Sequence, residues 1–158
     1  MRSPSTPAEL RRLVQAFVRD FGLLAQDSTP CGKPLASSHA HALMILLDAE
    51  RPLSQKALAD ALGIDKSNVT RLCQKMEAEG QIELERGDDD ARVRLLSLTP
   101  RGAKLAREVE QASKDRFALL LKAVPAAERS RVFAGLEVLS KAVTALRSGA
   151  EEDEPPGK

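Results

Sequence analysis

Aromatic residues are almost missing from this 158-residue chain, which has four Phe, no Trp and no Tyr. With so few flat side chains on which unpaired bases can stack, single-stranded nucleic acid is a poor partner for it. Cysteine is scarce too: two residues, Cys31 and Cys73, are too few for the disulfide framework of a small secreted domain. No apolar stretch approaches bilayer length, and no charged start followed by an apolar run resembles a signal peptide. A cytoplasmic protein with no membrane partner is expected. The chain also lacks a Gly-rich phosphate loop, a Ser or Cys with His and acid at plausible offsets, and a run of metal-ligand spacing. Catalysis, a resident metal and a cofactor are therefore not expected. Net charge is small, at +1, but uneven: the last eight residues sum to −3, which leaves +4 on the first 150.

What is present is ordinary globular material, 42% apolar and 30% charged, in a length suited to one domain with added helices. Thr6-Pro7-Ala8-Glu9 reads as a capping box with Pro at the first helical position. Leu10, Leu13, Val14, Phe17, Val18, Phe21 and Leu24 follow at three-and-four spacing, an amphipathic helix to about Gln26. After a loop, Ser37 or Ser38 is expected to cap a second helix with Leu43, Leu46 and Leu47 inward, ending near Arg51-Pro52. Ser54 caps a third, Gln55 to Leu62, stopped by Gly63. Asp65 then caps a fourth with Val69, Leu72, Cys73 and Met76 on its inward stripe. Two short helices so closely joined describe a helix-turn-helix.

The period then changes to two. Gln81 to Glu85 alternates polar and apolar, Gly87 to Asp90 is turn-like, and Arg92 to Leu98 can return as a partner strand, so a β-hairpin wing is expected. Thr99-Pro100 restarts a helix towards Ala123, with Leu105, Val109, Leu119 and Leu120 inward. Pro125 breaks it, and a last helix carries Val132, Leu136, Leu139, Val143 and Leu146 in a heptad-like seam suited to a partner helix, in this chain or another.

The fourth helix carries the most chemistry. Opposite its apolar stripe it presents Lys66, Ser67, Asn68, Thr70, Arg71, Gln74 and Lys75. Ser, Thr and Asn can bond base edges and phosphates, Arg71 can meet a guanine edge bidentately, and Lys75 can neutralise a phosphate. A solvated polar face has the same composition, and the wing is what separates the two. Arg86, Arg92 and Arg94 bracket the acidic turn, arginines able to enter a narrow minor groove, and Asp90 can hold Arg92 by a charge-assisted pair. Asp88 and Asp89 do not have the spacing of a Ca²⁺ loop and read as a solvated turn.

The run Ser67-Asn68-Val69-Thr70-Arg71-Leu72-Cys73-Gln74-Lys75-Met76-Glu77, followed by Gly80 and Ile82, resembles the recognition helix of MarR-type winged-helix regulators. Asp90-Ala91-Arg92 and Leu98-Thr99-Pro100-Arg101-Gly102 resemble the same family's wing and the start of its next helix. The resemblance implies a homodimer held by the first and last two helices, which represses genes and releases DNA when a small molecule or oxidant arrives. It puts Ser67, Asn68, Thr70 and Arg71 in the major groove, Arg92 and Asp90 on the wing, and Ser54 at a phosphate, with Gln55 beside it. This chain departs from the family at Ala91, where a first arginine is frequent; at Leu84, where Arg is frequent and Arg86 is the nearest substitute; and at Gln81, where Leu is usual.

Other candidates are thinner. His39 and His41 lie two apart on different helix faces, which suits a cap or interface better than a metal, even with Cys31 nearby. Cys31 is a candidate redox sensor with only Lys33 placed to lower its pKa, whereas Cys73 reads as core. Phe17 and Phe21 either line an effector pocket or serve as core or interface. The expectation is an α+β, mostly α protein: residues 1–35 in a dimerisation lobe, 36–99 a winged helix-turn-helix, 100–148 dimerisation helices, and 149–158 a disordered acidic tail. Its partners would be pseudo-palindromic duplex DNA, a second copy and a small-molecule effector drawn from contacts at Phe17, Phe21, Cys31, His39 and His41. The alternative is a winged-helix module that contacts protein instead of DNA.

Overall fold

A computed structural model describes residues 6–87 and 92–152. The chain falls into two compact units, Met1–Arg116 and Phe117–Lys158.

In the first unit, helix α1 (Pro7–Phe21) starts as expected, the Thr6 hydroxyl accepting from the Glu9 N–H at 3.1 Å. It ends sooner than Gln26. Gly22 takes φ 88°, and the amides of Gly22 and Leu23 bond back to Arg19 and Val18, closing the last turn. Helix α2 (Ser37–Asp48) has Ala36 at its N-cap with no side-chain bond, so neither serine caps it, and it stops before Arg51. Leu43 and Leu46 are buried and Leu47 half-buried. A two-residue strand not anticipated from the sequence, β1 (Leu53–Ser54), leads into α3 (Gln55–Leu62) and α4 (Lys66–Ala78). Ser54 and Asp65 cap these helices through the amides of Ala57 and Asn68, and Gly63 at φ 66° ends α3.

The wing is β2 (Ile82–Arg86) and β3 (Arg94–Leu98), antiparallel, with β1 added on the far side of β3 to give the order β1-β3-β2. Ile82 lies opposite Leu98 and Leu84 opposite Leu96, so one face of the hairpin is apolar, while Glu83 and Glu85 take the other. Leu43, Leu58, Val69, Met76, Ile82, Leu96 and Val109 meet in one buried cluster. Each such side chain contributes about 1.5–3 kcal/mol by leaving water.

Helix α5 (Pro100–Ala123) buries Gly102, Ala106 and Val109 within the first unit. Its later residues Leu119 and Leu120, expected to point inward, are exposed. In the second unit a 3-10 turn (Ala126–Glu128) follows Pro125, and α6 (Arg129–Glu152) completes the chain. The helix runs past residue 149, where the tail was expected to begin; residues 153–158 lie outside the described residues.

Candidate nucleic-acid interface

Val69, Cys73 and Met76 are buried, and that fixes how α4 is rotated about its axis. The opposite side is thereby turned outward: Lys66, Ser67, Asn68, Arg71, Gln74 and Lys75 are exposed and Thr70 is half-buried. Burial, with Glu77 as a smaller cause, pushes the Cys73 thiol up, so it stays protonated and packs as a small apolar group.

The exposed first turn of α4 is internally bonded. One carboxylate oxygen of Asp65 accepts the Asn68 backbone N–H at 2.8 Å and the Ser67 hydroxyl at 2.7 Å. The other accepts the Asn68 side-chain NH₂ at 2.7 Å. The Asn68 carbonyl oxygen in turn accepts from Arg71 Nη2 at 2.8 Å. The Thr70 hydroxyl donates to the Lys66 carbonyl at 2.7 Å, which leaves its oxygen as an acceptor. The bonds that Asp65 accepts, led by the Asn68 backbone N–H and then the Ser67 hydroxyl, hold its carboxyl below the usual carboxylate range.

Ser54 is half-buried, its hydroxyl engaged by Ala57, with Gln55 next to it at the start of α3. Gln55 and Lys66 share a cleft of about 460 Å³ between α3 and α4, floored by Ala59, Ile64 and Val69. Lys56, which the sequence reading passed over, lies on the same cleft, 4.0 Å from Asp60. On the wing Arg86 stands directly across from Arg94 in the strand register, and both are exposed. Two like charges so placed repel one another, and a bound phosphate would relieve that repulsion. Arg92 is exposed at the edge of the turn; Asp90, and with it the expected pair to Arg92, lies outside the described residues.

The five residues offered for an effector are scattered. Phe17 and Phe21 stack on each other on α1, ring centroids 5.2 Å apart. Cys31 is half-buried, 2.9 Å from the Thr29 hydroxyl, while the Lys33 ammonium lies 4.0 Å from a carboxylate oxygen of Glu108. His41 is exposed on a cavity of about 290 Å³ with Ser37, Ser38, Ile45, Ala61, Leu62 and Ile64. His39 is buried instead, its Nε2 2.6 Å from the Gln81 carbonyl oxygen. Gln81 donates its NH₂ to Glu79 at 2.7 Å, so its oxygen must accept from the imidazole and Nε2 carries the hydrogen. The partner of His39 thus stands at the position where the resemblance leads one to expect Leu. Among the described residues no three or more His, Cys, Asp or Glu gather as a metal site.

Residues 34–93 match the family model described as MarR family. That segment, rather than the whole chain, is what is similar to the MarR family. The MarR-type segment takes in α2, α3, α4 and β2; β3 and α5 lie beyond it. An HTH-type transcriptional regulator of Bacillus subtilis, YfiV, itself uncharacterised, is 25% identical over 101 residues, 64% of this chain. The match spans 63% of that relative's length. Among solved structures, Bordetella bronchiseptica BpsR, studied for regulation of its DNA binding by 6-hydroxynicotinic acid, superposes with a TM-score of 0.65. It is 23% identical, over 87% of this chain and 98% of that one. The S. aureus MepR–DNA complex gives a TM-score of 0.66 at 18% identity, over 89% and 99%. These likenesses show the fold alone, a winged helix with flanking helices.

Proposed function

We propose that this MarR-type chain is a sequence-specific regulator of transcription that binds duplex DNA as a homodimer. On this reading α4 enters the major groove and the wing the minor groove. The observation that carries it is the outer face of α4, where Lys66, Ser67, Asn68, Thr70, Arg71 and Lys75 stand together on a helix whose other side is locked in the core. Arg71 is the residue best suited to a guanine edge, with Lys66 and Lys75 at phosphates. Ser54 and Gln55 are proposed at a phosphate by the start of α3, and Arg86, Asp90, Arg92 and Arg94 on the wing. The structurally similar MepR was solved on DNA, which supports the same mode here.

A second copy is supported by two separate apolar faces. Helix α1 buries none of its residues, and Leu10, Leu13 and Phe17 are each about half exposed, at 52%, 52% and 49%. On α6, Val132, Phe133, Leu136, Val143 and Leu146 are all exposed, more contiguous apolar surface than a soluble helix leaves to water. The proposed lobes are residues 1–35 with 100–148 for dimerisation and 36–99 for DNA. A two-fold dimer would read half-sites about one helical turn, ~34 Å, apart. Repression released by a small molecule or oxidant is the proposed mode of control, in keeping with the ligand-regulated DNA binding of BpsR.

Selection of random duplexes on the purified protein at two salt concentrations tests the reading. A pseudo-palindrome that weakens steeply with salt is the expected result. Arg71→Ala should lower affinity by about 1–3 kcal/mol and relax preference at one base pair per half-site. A folded dimer that enriches no duplex at low salt, and binds a protein partner without salt dependence, would replace DNA with a protein target.

A further inference from the structure

We infer that Asp65 is a specificity-determining positioning residue: by holding the Asn68 amide in one orientation it aims the Arg71 guanidinium before DNA arrives. The inference rests on the DNA-binding reading above. An asparagine amide left alone can present either its oxygen or its NH₂ to a neighbour. Here the carboxylate decides. An ionised carboxylate only accepts hydrogen bonds, so only the NH₂ of Asn68 can face it, at 2.7 Å. The oxygen of the same amide is then turned towards the next helical turn, where it accepts from Arg71 Nη2 at 2.8 Å. Asn68 and Arg71 are three apart, which sets them side by side on one helix face. An aspartate is ionised throughout the neutral range, and the bonds to Asp65 lower its pKa further, so the carboxylate stays in its accepting form.

Held in this way, Arg71 uses one of its five N–H groups within the protein and keeps an edge for a base. Ordering a long side chain before association removes a cost otherwise met on binding, worth about two- to tenfold in affinity per side chain. Because the ordered residue is the proposed guanine reader, the gain falls on one base pair and appears as specificity. Ser67 is drawn into the same arrangement. Its hydroxyl hydrogen goes to Asp65, so it meets DNA as an acceptor suited to a base amino group.

The separating variant is Asp65→Asn. Asn caps a helix as well as Asp, so α4 keeps its start. The new NH₂ cannot accept from Asn68, however, whose amide must turn over and set donor against donor at Arg71. Random-duplex selection is run on the wild type, Asp65→Asn, Arg71→Ala and the double variant, each checked by circular dichroism and a thermal melt. Asp65→Asn is expected to melt like the wild type while its preference at the base pair that Arg71→Ala relaxes falls about two- to tenfold. Other positions should keep their weights, and Asp65→Asn should add nothing in the Arg71→Ala background. A motif from Asp65→Asn identical to the wild type's overturns the positioning role and leaves the DNA-binding reading intact. A uniform loss at every position together with a lowered melt also overturns it, leaving Asp65 as a cap alone. Failure of the wild type to enrich any duplex removes both readings.

Discussion

Helices α4 and α6 carry the same three-and-four apolar rhythm and meet opposite fates. The stripe of α4, Val69, Cys73 and Met76, lies within the core of the first unit. The stripe of α6, Val132, Leu136, Val143 and Leu146, faces outward, with Leu146 at 76% exposure. Periodicity therefore identifies the face a helix has to cover and is silent about what covers it. For α4 the cover includes α3 and β2 of the same chain; for α6 the proposed cover is a second copy.

The sharpest way to break the comparison is to injure the self-sufficient unit alone. Gly102 of α5 sits against the Gln81 carbonyl so closely that a Cβ would overlap backbone, which has no room to yield. Thr99 reinforces the contact by donating its hydroxyl to the Gly80 carbonyl at 2.6 Å. Gly102→Ala should cost about 3–5 kcal/mol, the range of the most disruptive core changes, read from urea denaturation. Normal stability in that variant would mean the α4–β2 turn and α5 can separate freely.

The reciprocal injury is Leu136→Asp with Val143→Asp. Both side chains are exposed within the chain, so the fold of the first unit should be retained. A carboxylate buried without a partner in an interface costs several kcal/mol, enough to turn a dimer into a monomer by sedimentation. A dimer that survives both changes moves the interface elsewhere.

The two regions also differ in how much could be read beforehand. Where structure is decided by neighbours in sequence, the reading held: Ser54, Gly63 and Asp65 bound their helices as expected, and the wing returns through Arg94–Leu98. Non-local or weakly marked features escaped it. The strand β1 is two residues long and exists because Leu53 and Ser54 pair with Leu96 and Leu95, far along the chain. The end of α1 at Gly22 was hidden by apolar Leu23 and Leu24, which prolong the rhythm beyond the helix yet are exposed. At α2, a serine beside the expected start was mistaken for the cap, whereas the turn begins one residue earlier at Ala36. Within the candidate site, the residue types on α4 were legible, but their mutual bonding through Asp65 was not, since the sequence reading gave that residue only a capping role.

The pair of His39 and Gln81, 42 residues apart, is a further contact that local patterning misses. Both are buried. Gln81→Leu would leave the imidazole N–H without a partner, at about 1–3 kcal/mol, although Leu is the residue the family resemblance favours. Adding His39→Leu should recover much of that loss, because removing both polar partners is close to neutral. A double-variant cycle by urea denaturation measures the coupling; strictly additive losses would mean that the bond contributes no coupling.

The smallest expected effect lies on the exposed face and concerns pH. The folded-state pKa of Asp65 is below its ordinary value of 3.8, chiefly through the Asn68 backbone N–H and then the Ser67 hydroxyl. A depressed carboxyl pKa contributes stability above the unfolded value and loses it as pH falls through the folded one. Between those two values the unfolded chain takes up a proton that the folded helix start still refuses. The wild type should therefore lose stability relative to Asp65→Asn as pH is lowered from neutral to below 3.8. The variant keeps a cap that does not titrate, so subtracting its urea-denaturation curve removes the other carboxylates titrating in the same range. Parallel curves across that interval would mean the carboxylate is not held in solution. The order of α4's outer face would then depend on DNA alone, and the contrast with its buried stripe would be that of a rigid side and a loose one.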